Sequence, residues 1–165
     1  WELCVKDVPK DKHHDLDFII SQLDWEKNVD PYFKEHNYLE PIVDEDNSGD
    51  GWVDQWIVYG LVDGKQLFSA KELTVMPGAK CVLRDPGASG WITVQGCGKM
   101  GSLRLQTPVM IRFGEEPDDE VFITYEAARA GIVIENTGTE PLVGLRYFGP
   151  DVHPRVPNVG EYKRG

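Results

Sequence analysis

From Trp52 onwards the chain is cut into short runs by turn signals at close intervals, and this punctuation constrains the fold more than any other feature. Residues 52–62 (WVDQWIVYGLV) and 66–75 (QLFSAKELTV) flank Asp63-Gly64. A type I′ turn needs positive φ at both central positions, and Asp-Gly supplies them at low cost. The two runs therefore predict a hairpin. Pro77-Gly78 suits a type II turn, with Pro presetting φ and Gly taking the positive value. Further breaks fall at Pro86-Gly87, Gly96 to Gly98, the acidic stretch 114–119 and Thr137-Gly138. The runs between them predict strands at 80–84, 91–95, 103–105, 108–113, 120–125, 131–135 and 142–148, and Glu126 to Ala130 reads as one helical turn. About nine short strands at roughly 8–12-residue spacing argue for an all-β sandwich or barrel.

Upstream the pattern changes. Residues 1–43 form a polar arm and residues 44–51 an acidic loop, so the chain divides into 1–51, a β domain at 52–150 and a tail at 151–165. In the arm, Leu16, Ile19, Ile20 and Leu23 fall at i, i+3, i+4 and i+7, one face of a helix. Asp15 can accept hydrogen bonds from the unpaired N–H groups of its first turn. Roughly three turns are too short to be stable alone, so this face is expected to pack on the barrel or on a neighbouring subunit. Asp30-Pro31 reads as a helix break.

Composition limits the partners. Hydrophobic residues make up 41% of the 165, enough for one core. Seventeen basic against 28 acidic residues give a net charge of −11, which repels phosphate backbones and anionic lipid surfaces. Nucleic-acid and membrane partners are therefore not expected. No apolar run approaches the ~20 residues of a membrane span, and no signal-peptide pattern opens the chain. Its first residue is Trp1, which reads as the start of a fragment or a mature product. Cys4, Cys81 and Cys97 are odd in number and show no CxxC spacing, the usage of a cytoplasmic protein with reduced thiols.

The chemically suggestive motifs are incomplete. His13-His14, near Asp15 and Asp17, is the densest set of potential ligands, but adjacent helical residues do not share a face. His36 and His153 stand in polar or Pro-flanked surroundings and read as surface or satisfied polar residues rather than ligands. Asp46 to Gly51 matches the first half of a calcium loop, whose twelfth position must be a bidentate Glu. Counting from Asp46 or Asp44, that position is Ile57 or Gln55. Gly96-Cys97-Gly98 lacks the Lys-Ser/Thr of a phosphate loop and reads as a turn. Gly87-Ala88-Ser89-Gly90 is one residue out of register for a nucleophile elbow. Cys81 and Cys97 read as structural thiols.

Two blocks carry a resemblance. MPGAKCVLRDPGASGWITVQGCGKMG (76–101) resembles the first cupin motif, and GIVIENTGTEPLVGLRYFGPD (131–151) the second. The resemblance covers roughly 52–150 and implies an all-β double-stranded β-helix, or jelly roll, behind an N-terminal arm with a short helix. More loosely, the chain resembles the carboxy-terminal cupin of bacterial mannose-6-phosphate-isomerase-like proteins. The family's metal is usually held by His-x-His, a Glu and a later His. Counted from Gly78 and Asn136, those positions fall on Arg84, Pro86, Gly90 or Trp91, and Ile132. These side chains offer no imidazole or carboxylate, so no metal and no other cofactor are expected. Arg84, Asp85 and Trp91 would then sit at the barrel mouth, with Trp25 of the arm available to stack on a sugar. The resemblance, stripped of its metal, implies a metal-free cupin module, the non-catalytic or oligomerising half of a two-cupin sugar-metabolism protein, with a homodimer expected. The alternatives are a sugar or sugar-phosphate isomerase with its site at the mouth, and a sensor of a small sugar or organic acid.

Overall fold

A computed structural model describes residues 1–110 and 112–159. They form two compact units, divided between Tyr38 and Leu39. In the second unit the strands are β1 (Ile42–Val43), β2 (Trp52–Val58), β3 (Ser69–Val75), β4 (Lys80–Leu83), β5 (Ser89–Gln95), β6 (Cys97–Met100), β7 (Leu103–Gln106), β8 (Glu120–Ile123), β9 (Ile132–Asn136) and β10 (Leu142–Phe148). One sheet runs β1-β2-β3-β10-β5-β8 and the other β4-β9-β6-β7, with every pairing antiparallel. From β3 to β10 the chain passes repeatedly between the two sheets. The resulting orders, β3-β10-β5-β8 facing β4-β9-β6-β7, are those of a jelly roll of interlocked Greek keys.

Alternation builds the interior. Cys81 and Leu83 of β4, Trp91 of β5, Met100 of β6, Ile134 of β9 and Leu142 of β10 are buried, while Lys80, Val82, Val133 and Glu135 between them are exposed. These inward side chains, with Leu73, Val75, Leu105 and Ile123, form one apolar core. Asn136 ties the two sheets together, its side-chain amide donating to the carbonyls of Val75 and Glu140 at 2.8 Å each.

Several sequence expectations change. Asp63 and Gly64 do take positive φ, 50° and 74°. They tip a small loop closed by Val62 and Lys65, however, because β2 ends at Val58 and β3 begins at Ser69. The hairpin pairing is thus real but its connection is longer than two residues. Gly96 turns the chain at φ 78°, but Gly98 belongs to strand β6, which the Gly-Cys-Gly pattern conceals. A Cβ on Gly98 would lie 2.3 Å from the Glu135 carbonyl oxygen, so glycine here permits close backbone approach. No strand forms at 107–110 or 112–119, and Ile111 lies outside the described residues. The helical turn is α4 (Tyr125–Ala130), capped by the Thr124 hydroxyl, which accepts from the Ala127 amide.

The first unit holds α1 (Leu16–Ser21), α2 (Trp25–Asn28) and α3 (Phe33–Asn37). Asp15 caps α1, accepting from the Phe18 amide at 3.0 Å, and Asp30-Pro31 separates α2 from α3. Leu16, Ile20 and Leu23 are each about half exposed. The unit boundary lies upstream of residue 51 because β1 pairs with β2, which carries the acidic loop into the barrel unit. The tail as far as Val159 belongs to that unit too, whereas residues 160–165 lie outside the described residues. Among the described residues no helix is long and apolar enough to cross a membrane.

Candidate functional site

Asp54, Lys71, Asp85, Arg146 and His153 are buried together in the barrel interior. Asp54 and Trp56 of β2, Lys71 of β3, and Arg146 and Phe148 of β10 all occupy inward positions. Strand register sets Trp56 opposite Lys71, Lys71 opposite Arg146, and Arg146 opposite Trp91. Two cations facing each other across a ladder repel, the more so when buried. Asp54 resolves this. Its Oδ2 accepts from Lys71 Nζ at 2.7 Å and from Arg146 Nη2 at 2.9 Å, and its Oδ1 accepts from Arg146 Nη1 at 3.1 Å. The two-point grip on the guanidinium is the strong geometry for an Arg–carboxylate pair.

The network extends at both ends. Lys71 also donates to Asp44, just after β1, and its ammonium lies 4.7 Å from the centre of the Trp56 ring. Arg146 Nε stands 3.0 Å from Asp85 Oδ2, in the β4–β5 connection. Lys71, Arg146 and the half-exposed Arg155 balance Asp44, Asp54 and Asp85 charge for charge. The His153 ring fills the remaining space, 4.7 Å from the Trp56 ring and 5.3 Å from Phe148, with Nε2 at 3.8 Å from Asp85 Oδ1.

The environment moves several pKa values. Burial pushes the Asp85 carboxyl up, opposed by Arg146. Burial works against ionisation of Asp44 too, but hydrogen bonds from Lys71 and Asn47 outweigh it and hold this carboxyl below the usual range. Burial disfavours the Arg146 cation, yet Asp54 and Asp85 more than compensate and raise its pKa. His153 is pushed down to about 4, first by burial and then by Lys71, Arg155 and Arg146, and so is neutral at pH 7. Burial likewise raises the Cys81 thiol to about 11, which keeps it protonated and unreactive.

The anticipated site residues are dispersed. Asp85 lies in the network. Trp91 is buried beside it, its indole N–H donating to the Thr93 hydroxyl at 2.9 Å and its ring lying where a Gly144 Cβ would be. Arg84 points the other way and is exposed, because 81, 83 and 85 are the inward series. Its side chain lies across Gly131, whose added Cβ would stand 3.0 Å from Arg84 Nε. Trp25 belongs to the first unit, where its indole donates to the Ile20 carbonyl at 3.2 Å. His13 contacts the Val8 carbonyl and His14 stacks on Trp1. In the acidic loop, Asp44 engages Lys71 and Asn47, and Asp46 pairs with Arg155 at 2.6 Å.

The inward series also tests the metal. Interior positions hold Cys81, Leu83, Asp85, Trp91 and Ile134, and the one carboxylate among them is engaged by Arg146. This set does not fit a divalent ion, which needs several imidazole or carboxylate donors converging. Among the described residues no group of three or more His, Cys, Asp or Glu is placed to hold one.

Sequence reasoning misses Asp54, Lys71, Arg146 and His153. A signal exists for Asp54, which shares the phase of Trp52 and Trp56 in an alternating strand. The sequence reads His153 as a surface or satisfied polar residue, but it is only 2% exposed, since the chain turns back after β10, and its Nδ1 has no hydrogen-bond partner.

No family model matches the chain, and no curated protein does. Among solved structures it is similar to an RmlC-like cupin protein of Ralstonia eutropha, with 10% identity, a TM-score of 0.45, and coverage of 67% of this chain and 62% of that one. It is also similar to oxalate decarboxylase of Bacillus subtilis, with 22% identity, a TM-score of 0.46, and coverage of 70% of this chain and 28% of that one. An arginine-to-alanine mutant of the latter gives 21% identity and a TM-score of 0.47, covering 73% and 30%. The chain spans less than two thirds of the length of each.

Proposed function

We propose that residues 39–159 are a cupin-type module that works without a bound metal, as the non-catalytic, oligomerising part of a protein of sugar metabolism. The observation that carries this reading is the interior itself. Where a metallocupin needs convergent donors, this barrel has cations and carboxylates already paired with one another. Lewis-acid chemistry on a sugar or organic acid has no seat in such an interior. Three unpaired thiols fit a reducing, cytoplasmic setting.

The oligomerising role has its own support. The outer face of the larger sheet presents Val53, Val94, Phe122 and Tyr147, all exposed, and register places Tyr147 and Phe122 on either side of Gly90. A self-complementary apolar sheet face suits a homodimer of two-fold symmetry. The test is to load the purified chain with manganese, iron, zinc and nickel, dialyse it, and measure metal content and mass in solution. Substoichiometric metal and a dimer that Phe122→Asp converts to monomer are expected. One metal per chain, lost in Asp85→Asn, would overturn the metal-independent reading.

A further inference from the structure

The chain does not leave the barrel after β10. Asp151, at φ 55°, turns it back. Val152 packs against Gly87, where an added Cβ would lie 2.8 Å from the valine Cγ1. The His153 ring drops between Trp56 and Phe148. Arg155 then reaches the acidic loop, 2.6 Å from Asp46 and 3.8 Å from Asp44, and Val159 closes on Gly60. None of these residues joins a strand. Its contacts with Gly87, Trp56, Phe148, Asp46 and Gly60 are made by side chains, and side-chain contacts release more readily than a hydrogen-bonded ladder.

An imidazole is an unusual plug for this slot. Nδ1 is buried without a hydrogen-bond partner, and Nε2 is too far from Asp85 for a hydrogen bond. The ring is faced by Asp85 from the β4–β5 connection, Lys71 from β3, Arg146 from β10, Asp44 from the loop after β1 and Arg155 from its own segment. Asp54 of β2 is occupied by Lys71 and Arg146. A further positive charge beside those cations would be costly to bury, whereas a neutral ring packs edge-on against Trp56 and Phe148.

We infer that residues 150–159 form a strap over the charged interior, seated while His153 is neutral and released when His153 is protonated, so that mild acid uncovers the Asp54–Lys71–Asp85–Arg146 network. This goes beyond the module reading and does not depend on it. Released into water, the imidazole regains an ordinary pKa near 6.5, while in its seat burial and the neighbouring cations hold it at about 4. Proton uptake between those values therefore favours the open form.

Hydrogen exchange of the full chain at pH 7 and pH 5, corrected for intrinsic rates, tests the inference. Linkage to a pKa of about 4 in the seat predicts that amides of 151–159 are about 20-fold less protected at pH 5, with β4 and β9 unchanged. His153→Phe fills the same slot with a ring that cannot titrate, and its strap should be equally protected at both pH values. His153→Gln, neutral throughout, serves the same purpose should the larger ring impair folding. Equal protection of the wild-type strap at both pH values would overturn the inference. So would a pH-dependent loss in both variants matching that of the wild type, since neither variant carries an imidazole at 153.

Discussion

Asp54 is the residue on which the interior depends. Lys71 and Arg146 face each other across β3 and β10, and the Asp54 carboxylate bridges them. Its removal leaves two cations opposed with little solvent to screen them. Breaking a buried pair from one side typically costs about 3–5 kcal/mol, whereas replacing all the partners with apolar groups of similar volume is often near neutral. Asp54→Asn should therefore lower unfolding stability by roughly that amount. The quadruple variant Asp54→Leu, Lys71→Met, Asp85→Leu, Arg146→Met, which leaves no buried carboxylate without its cation at Asp85, should recover most of it, as read from urea denaturation of the wild type and both variants. A quadruple variant no better than Asp54→Asn would mean that the network contributes net stability beyond its own internal cancellation. The same reasoning explains why the site is only partly legible in the sequence. A motif leads to Asp85 and Trp91, and strand phase leads to Asp54. Lys71, Arg146 and His153 are buried because of partners remote in the chain: Asp54 and Arg146 are 92 residues apart. No local pattern records such a pairing.

At the scale of elements, turn chemistry and alternation locate most of the strands, and the misses have local causes. Strand β6 is hidden because its glycine mimics a turn signal while serving close packing against β9. Apolar content predicts a strand at 108–113, but among the described residues 108–110 and 112–113 form none, because apolar residues without a partner strand do not make one. The two uses of glycine can be separated by experiment. Gly101 adopts φ 59° with nothing within 4 Å of an added Cβ, so Gly101→Ala incurs only backbone strain, about 1 kcal/mol. Gly98→Ala drives a methyl against the Glu135 carbonyl and should cost more, about 2–3 kcal/mol, because the β6–β9 ladder must shift. Thermal or urea melts of both variants read the difference directly. Equal losses would show that β6 tolerates separation from β9.

For the whole molecule, the titrating groups pull in opposed directions. His153 has its folded pKa lowered to about 4, so between pH 6.5 and 4 the unfolded chain holds a proton that the folded chain does not, and stability falls as pH drops through that range. Asp44, also lowered, adds a loss in the same direction at still lower pH. Asp85, raised by burial, takes up its proton more readily when folded and opposes both. From pH 7 to pH 5 the His153 contribution amounts to up to about 2 kcal/mol, limited by the cost of freeing its segment. Urea midpoints at the two pH values should show this drop in the wild type and its absence, or a slight gain, in His153→Phe.

The place of β10 carries a further consequence, for synthesis rather than for the finished protein. This strand, the last of the ten among the described residues, lies between β3 and β5 in the middle of the larger sheet. Until Phe148 has left the ribosome, β3 and β5 each expose an unpaired ladder, and Asp54 has no guanidinium to grip. Open ladders of this kind recruit other chains. A nascent or truncated chain ending before Leu142 is thus a ready aggregation template, and the protein's dependence on chaperones should be concentrated in the interval between emergence of β3 and arrival of β10.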